Sequence, residues 1–293
     1  MKHKRHKKGI KKKAILTVQD ARVTRSEDHI IEESPLEIRL RFGSSSQRET
    51  KTLTITMRTP GHDQYLATGL LLAEGIITHL NQILTIRFQG GQLDKSAQEN
   101  SLLIELKDTV ELDWNLLNRQ FASSAACGVC GKTSLDMLEQ ISSFPIPQIQ
   151  LDLTAPTLFA MMDKMRSKQN LFSETGGVHA AGLFQTNGKL ISLGEDVGRH
   201  NAVDKCIGKA LQHNLPTKGG LLCLSGRAGF ELVQKAYMAG IQLVASVGAP
   251  SSLAIEVAEA NGMILIGFMR GKRFNIYCGQ ERLVSITAND SGL

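Results

Sequence analysis

Between residues 178 and 268, short apolar runs alternate with stretches of helical length, and few architectures accept that texture. The apolar runs cover 178–184, 189–193, 220–224, 241–247 and 263–268. Stretches 196–211, 228–239 and 251–260 separate the later ones as helices, the first with Val203, Ile207, Ala210 and Leu211 on its inner side. This predicts βαβ units around a parallel sheet, and runs so uniformly apolar predict strands covered on both faces. A helix over about 156–168 precedes them. Its Leu158, Met161, Met162 and Met165 read as core filler rather than as a metal or thioether motif. The class expected is α/β.

The earlier half has a different texture. Residues 35–41 and 51–58 alternate as half-buried strands, with Leu53, Ile55 and Met57 in phase. Pro60-Gly61-His62-Asp63 reads as a turn, Asp63 as the cap of a helix carrying Leu66, Leu70 and Ala73, and Gly75 as its stop. Strands near 82–89 and 101–107 flank Gly90-Gly91. The chain therefore divides into a disordered basic tail over 1–15, an α+β subdomain over 16–125, a loop, helix and connector over 126–155, and an α/β domain over 156–293.

Composition narrows the function classes. The net charge of the 293 residues is +6, but residues 1–13 hold eight Lys or Arg and no acid. Without them 26 basic residues face 28 acidic ones, so the basicity belongs to a tail and not to a surface stripe. Such a block repels itself and reads as a solvated leader, with RNA, anionic lipid or an acidic partner as its alternative contacts. Nucleic acid is not expected elsewhere, since aromatics at 5% leave no base-stacking platform. Ala14-Ile15-Leu16 is too short for a secretory core, and no run reaches a membrane span, so no membrane partner is expected. Five scattered cysteines give no disulfide framework and point to a reducing, cytoplasmic compartment.

Two of those cysteines are close, in Ala126-Cys127-Gly128-Val129-Cys130-Gly131-Lys132. Leu135, Leu138 and Ile141 predict a helix over 133–141, which places Cys130 just before a helix N-terminus and near Lys132. Both favour a thiolate. Structural zinc would need a second half-site, which is missing. A thioredoxin-like pair would follow a strand, and 113–126 does not read as one. A cytidine-deaminase zinc site needs His-x-Glu followed by Pro-Cys-x-x-Cys, whereas His179 is followed by Ala181 and the pair precedes it. Sulfur or acyl carriage on a glycine-flanked loop is the third chemistry.

Open parallel sheets bind ligands beyond the carboxyl ends of their strands. Ser225-Gly226-Arg227, Gly248-Ala249-Pro250-Ser251-Ser252 and Met269-Arg270-Gly271-Lys272-Arg273 stand there. Small residues opening helices, beside a basic loop, suit phosphate or pyrophosphate. Two further loops are chemically rich: Thr175-Gly176-Gly177-Val178-His179, and the segment from Glu195 to Lys205 with Arg199, His200 and Asn201 in a row. Those three cannot all be solvated on one helical face, so one of them points inward.

Several motifs occur together and in order: Thr59-Pro60-Gly61-His62-Asp63, Leu71-Leu72-Ala73-Glu74-Gly75, Cys127-Gly128-Val129-Cys130, Thr175-Gly176-Gly177-Val178-His179, Glu195 through Lys205, Ser225-Gly226-Arg227, Ala249-Pro250-Ser251-Ser252 and Gly267-Phe268-Met269-Arg270-Gly271. On these the chain resembles the FdhD family of formate dehydrogenase accessory sulfurtransferases, from about residue 30 to 280. The resemblance implies a three-layer α/β/α sandwich similar to the cytidine-deaminase-like fold, with a smaller N-terminal α+β subdomain, in a homodimer. It implies that sulfur from a cysteine desulfurase is held as a persulfide on Cys127, that Cys130 assists, and that the acceptor is the molybdenum (or tungsten) bis(molybdopterin guanine dinucleotide) cofactor destined for formate dehydrogenase. By position it implies cofactor contacts from Phe268, Met269, Arg270, Gly271, Lys272 and Arg273. The strand-edge reading adds Ser225, Gly226 and Arg227, and the two chemically rich loops add His179 and His200. No permanently bound metal is expected. The competing role is a non-catalytic chaperone that carries the same cofactor.

Overall fold

The computed structural model describes residues 9–89, 99–114, 117 and 146–287. Cys127, Cys130, the helix expected over 133–141 and the Gly90-Gly91 loop lie outside the described residues.

The N-terminal part begins with a hairpin of β1 (Ile10–Gln19) and β2 (Arg22–Ile31), paired without interruption from Ile10↔Ile31 to Gln19↔Arg22. Asp20 and Ala21 both take positive φ at its tip, as a two-residue hairpin turn requires. Residues 10–15, expected in the tail, are therefore strand. The cause lies across the hairpin: Lys12 meets Glu27 at 2.5 Å and Lys11 meets Glu32 at 3.1 Å, so acids offset the lysine run.

Strands β3 (Ser34–Phe42), β4 (Glu49–Arg58), β5 (Ile83–Phe88) and β6 (Ser101–Leu106) form a second sheet in the order β4-β3-β6-β5, close to the strands expected. Leu36, Ile38 and Leu40 are fully buried on its inner face. Helix α1 (Asp63–Ala73) follows β4, and Gly75 at φ 68° ends it. Asp63 does not cap it, contrary to expectation. His62, at φ 62°, occupies the cap position, while the buried Asp63 carboxylate accepts from Arg58 Nε at 2.9 Å. The buried guanidinium of Arg58 claims that carboxylate, because an unpaired charge there would be costly.

The remaining elements are α2 (Ala155–Lys168), α3 (Asn170–Thr175), β7 (His179–Phe184), β8 (Leu190–Asp196), α4 (Arg199–Gln212), β9 (Leu221–Leu224), α5 (Phe230–Met238), β10 (Leu243–Ser246), α6 (Ser252–Ala260), β11 (Ile264–Arg270), β12 (Arg273–Cys278) and α7 (Val284–Thr287). Six strands form one sheet in the order β12-β11-β10-β9-β7-β8. Only β9, β10 and β11 run parallel to their neighbours in this group; β7, β8 and β12 are antiparallel additions. The all-parallel expectation is thus corrected. Apolar runs covered on both faces look alike in either direction, and short hairpin links let β8 and β12 fold back.

Alternate residues of these strands enter two separate clusters. Leu222, Leu224, Val244 and Leu265 pack with α4, α5 and α6, whereas Leu221, Cys223, Leu243 and Ile266 pack with Leu158, Met161, Met162 and Met165 of α2. Helices therefore cover both faces of the sheet, giving three layers. The methionines are buried, as packing predicts.

Helix α1 joins the two parts by lying along α4. Gly69 and Gly208 make this possible: a Cβ on Gly208 would stand 1.9 Å from the Tyr65 carbonyl oxygen. Buried polar bonds reinforce the seam. Lys205 Nζ, paired with Asp196 at 2.6 Å, donates to Thr59 O at 2.8 Å; Asn201 Nδ2 donates to Met57 O at 2.8 Å; Lys235, paired with Asp204 at 2.9 Å, reaches Glu74 just past α1 at 3.6 Å. Among the described residues no helix is long and apolar enough to cross a membrane.

Candidate functional site

Because β7 runs opposite to β9–β11, its first residue lies at the edge where those strands end. His179 thus meets Ser225, Val247, Met269 and Arg270 around a cavity of about 670 Å³. The loops along this edge are bonded together. Ser225 N donates to Ala180 O and Ser225 Oγ accepts from Ala180 N at 2.8 Å; Gly248 N donates to Gly226 O, and Phe268 N to Gly248 O. Arg270 Nε donates to Val247 O at 3.2 Å, which leaves its terminal nitrogens for the cavity mouth.

The opposite wall comes from α2 and α3: Met162, Asp163, Met165, Arg166, Gln169 and Phe172, continuing into Gly176 and Gly177. Arg166 stacks over Phe172 with its guanidinium carbon 3.7 Å from the ring centroid. Glu195 fixes this wall by accepting from Leu171 N at 3.1 Å and Phe172 N at 2.9 Å. Both walls mix the two characters: Met162 and Met165 stand with Asp163, Arg166 and Gln169 on one, and Val247 and Met269 with His179 and Arg270 on the other. Such a mixture suits a ligand with a flat apolar body and an anionic end.

Burial, aided by the positive Arg199 and by His200 and opposed by Asp196, holds the His179 imidazole below its ordinary 6.5. It is neutral at pH 7 and can donate or accept in the cavity. Unfolding restores the ordinary value, so the unfolded chain takes up the proton first as pH falls. Stability from this group is complete above about 6.5 and declines as pH falls below it. His62 is lowered in the same direction, chiefly by burial. We expect a titration midpoint below 6.5 for His179 by NMR, and a shallower loss of thermal stability between pH 7 and 5 in His179→Asn.

A second cavity of about 310 Å³ is lined by Arg199, Arg227, Ala228, Gly229, Phe230, Glu231, Ala249, Pro250 and Ser251. His200 stands beside it, with Nε2 2.6 Å from Glu231 Oε2, and that hydrogen bond holds the Glu231 carboxyl below its usual range. Ser251 caps α6 by accepting from Ala254 N at 3.2 Å. Of the three consecutive residues, Asn201 is the one that points inward, as expected for one of them.

The structure thus divides the expected residues. His179, Ser225, Met269 and Arg270 line the first cavity; Arg227 lines the second, with His200 next to it. Gly226 lies against His179, where an added Cβ would approach Nδ1 to 3.2 Å. Phe268, Gly271, Lys272 and Arg273 line neither cavity. The basic loop expected over 269–273 is corrected to the end of β11, a tight turn and the start of β12. Phe268, exposed and at φ 52°, sits in a bulge after which the strand resumes. Asp163, Arg166 and Gln169 were not foreseen. Their i, i+3, i+6 spacing beside Met162 and Met165 was the available signal, but it also describes an ordinary solvated helix face.

The three cysteines among the described residues are poor nucleophiles. Burial pushes the Cys206 thiol up to about 11 and the Cys278 thiol to about 11, and moves Cys223 further in the same direction.

The profile described as FdhD/NarQ family matches residues 31–284. A "Sulfur carrier protein FdhD" from Streptomyces coelicolor is 40% identical over 284 residues, covering 96% of this chain and 98% of that protein. One so named from Corynebacterium efficiens is 45% identical over 260 residues, covering 86% and 90%. One from Thermoplasma volcanium is 41% identical over 260 residues, covering 88% and 90%. A crystal structure of a protein described as a formate dehydrogenase accessory protein, from Desulfotalea psychrophila, superposes with a TM-score of 0.71 at 22% identity, over 94% of this chain and 99% of that one. At that identity the likeness shows a shared fold.

Proposed function

The chain belongs to the FdhD/NarQ family, and from that premise we propose that it is a sulfur carrier in formate dehydrogenase maturation, loading sulfur on Cys127 and giving it to a dinucleotide-bearing molybdenum (or tungsten) cofactor. In the first step the Cys127 thiolate attacks the outer sulfur of a cysteine desulfurase persulfide. The donor S–S bond breaks, the donor leaves as thiolate, and Cys127 holds the persulfide with its proton. In the second, the Cys130 thiolate attacks the inner sulfur of that persulfide. A Cys127–Cys130 disulfide forms and hydrosulfide leaves for the acceptor, so two thiols supply the two electrons the transferred sulfur gains. A cellular dithiol then reduces the disulfide.

The observation that carries this reading is the cavity at the strand edge, where Arg270 and Arg166 flank a partly apolar chamber of about 670 Å³. That volume suits one nucleotide arm of the acceptor. Arg227 and Arg199 at the second cavity offer charge for a further phosphate, with His200 beside them. Phe268, Gly271, Lys272 and Arg273 would meet the acceptor from the hairpin turn. The buried state of Cys206, Cys223 and Cys278 leaves sulfur chemistry to the Cys127–Cys130 pair. A homodimer and the cytidine-deaminase-like class for the sandwich belong to the same reading.

Two experiments test it. Incubation with a cysteine desulfurase and cysteine, followed by peptide mass spectrometry, should find one added sulfur on Cys127; no added sulfur would end the carrier reading. Titration with GDP, as a probe for one arm of the acceptor, should show binding that Arg270→Ala weakens by about 10-fold, the ordinary effect of losing one charge-assisted hydrogen bond. Unchanged affinity would move the nucleotide site elsewhere.

A further inference from the structure

Strands β1 and β2 pair along their whole length, and most of their residues are exposed. The hairpin is tied down at its base, where Glu32 N donates to Gly9 O at 2.8 Å and Ile31 lies against Gly177. A two-stranded hairpin without a covered face is marginal in water. Alternation assigns its faces. Ala14, Leu16 and Val18 share one with Val23 and Arg25, and Val18 stands directly across from Val23. Leu16 is 64% exposed, Val18 66% and Val23 62%. Exposed apolar side chains are ordinary when scattered, but these three adjoin at the tip of an element that has no core of its own.

A second apolar patch lies on the outer face of the β4-β3-β6-β5 sheet. Ile55 pairs with Glu37 and Met57 with Pro35, positions that alternate with the buried Leu36 and Ile38. Ile55 is 65% exposed and Met57 49%, and Pro35 is exposed beside them. The patch adjoins the base of the hairpin, since β2 ends at Ile31 and β3 begins at Ser34. The tip lies about 30 Å further out, the length of a strand such as β1. Tip and patch therefore leave each other uncovered within one chain. A two-fold axis covers both at once: the tip of each copy crosses the patch of the other, and one contact is made twice. Charge agrees with apolar shape, since Arg25 stands across from Leu16 at the tip and the exposed Glu33 precedes the patch. We infer that the β1–β2 hairpin is the dimerisation element of this chain, its Leu16, Val18 and Val23 seated on Pro35, Ile55 and Met57 of a second copy. Area decides for a second copy. A hairpin face about 30 Å long and about 10 Å wide removes about 300 Å² from itself and as much from what it covers. One hairpin laid on a foreign protein thus accounts for about 600 Å², short of the roughly 1,200 Å² that specific complexes bury, whereas two reciprocal hairpins reach it. The inference rests on the proposed reading for the homodimer alone and adds the surfaces that make it.

The test is sedimentation velocity of the full chain over a dilution series, with peptide hydrogen exchange at the two ends of the series. The wild type should dimerise, and amides of residues 14–25 and 55–57 should exchange more slowly at high concentration. Val18→Asp at the tip and Ile55→Asp on the patch should each raise the dimer dissociation constant at least about 100-fold, because symmetry places each buried charge in the interface twice. Both side chains are exposed in the single chain, so neither substitution disturbs its core. Thr24→Lys, on the opposite face of the hairpin, should leave the dimer intact. A wild-type dimer that survives both Asp variants has its interface elsewhere, which overturns the inference while the homodimer stands. Loss of the dimer in Val18→Asp but not in Ile55→Asp refutes the pairing of tip with patch. A wild type that stays monomeric at every concentration removes the inference and the homodimer together. If Val18→Asp then still impairs formate dehydrogenase maturation, the hairpin serves a different protein. Sulfur loading measured on the same samples keeps the carrier reading apart from each of these results.

Discussion

Cys127→Ala is expected to fold normally, accept no sulfur, and reduce formate dehydrogenase maturation to background. None of the cysteines among the described residues can replace it. With its thiol pushed up to about 11, Cys206 would be thiolate in only on the order of one molecule in 10⁴ at neutral pH, and no donor persulfide could reach it in the core. Cys130→Ala separates loading from release. It should take up one sulfur and retain it, because the second thiol needed to expel hydrosulfide is gone. Peptide mass spectrometry reads the loading, and sulfide release into solution reads the second step. The helix expected after Cys130, and Lys132, would favour Cys130 as thiolate, whereas the family resemblance implies sulfur on Cys127, so the site of the added sulfur decides between them. Sulfur found only on Cys130 would exchange the two roles. Full formate dehydrogenase activity from both variants would sink the sulfur chemistry and leave cofactor carriage alone.

The two halves of the molecule differed in how far they could be read. Periodicity located β3 to β6 and the longer helices α2, α4, α5 and α6, whose buried faces carry a pattern, whereas the short α3 and α7 were not expected. The β1–β2 hairpin escaped, since nearly all of its residues are exposed and a strand with no buried face has no apolar signature. Strand direction was equally hidden: Ala180–Phe184 and Leu221–Leu224 are both apolar runs, yet they pair antiparallel. The edge site was half legible. Small and basic residues after β9, β10 and β11 marked one wall, because the rule linking ligands to strand ends needs only the order of elements. The α2–α3 wall was not legible. Its approach to that edge depends on tertiary packing.

Gly208→Ala should lower the thermal midpoint by roughly 10 °C, the largest stability effect we expect of any single added methyl group. The new Cβ would lie 1.9 Å from Tyr65 O and 2.7 Å from Gly69 N, and both are backbone atoms of α1. No rotamer change relieves that contact, so the helices must separate. Separation then acts on the bonds clustered there. Lys205 Nζ to Thr59 O, Asn201 Nδ2 to Met57 O and Thr59 N to the Asp196 carboxylate run from one unit to the other, and each buried group left unmet costs about 1–3 kcal/mol. The helix-propensity gain from glycine to alanine, about 1 kcal/mol, cannot offset this. A net loss of about 3 kcal/mol corresponds to the stated shift for a chain of this size. Gly229→Ala is the matched control: nothing lies within 4 Å of its added Cβ, and it should cost under about 1 kcal/mol. Circular dichroism melts of the two variants against wild type make the measurement. A Gly208→Ala midpoint within about 2 °C of wild type would mean that α1 slides along α4 without loss, and that the buried hydrogen bonds at Met57 and Thr59 do not lock the N-terminal unit onto the sandwich.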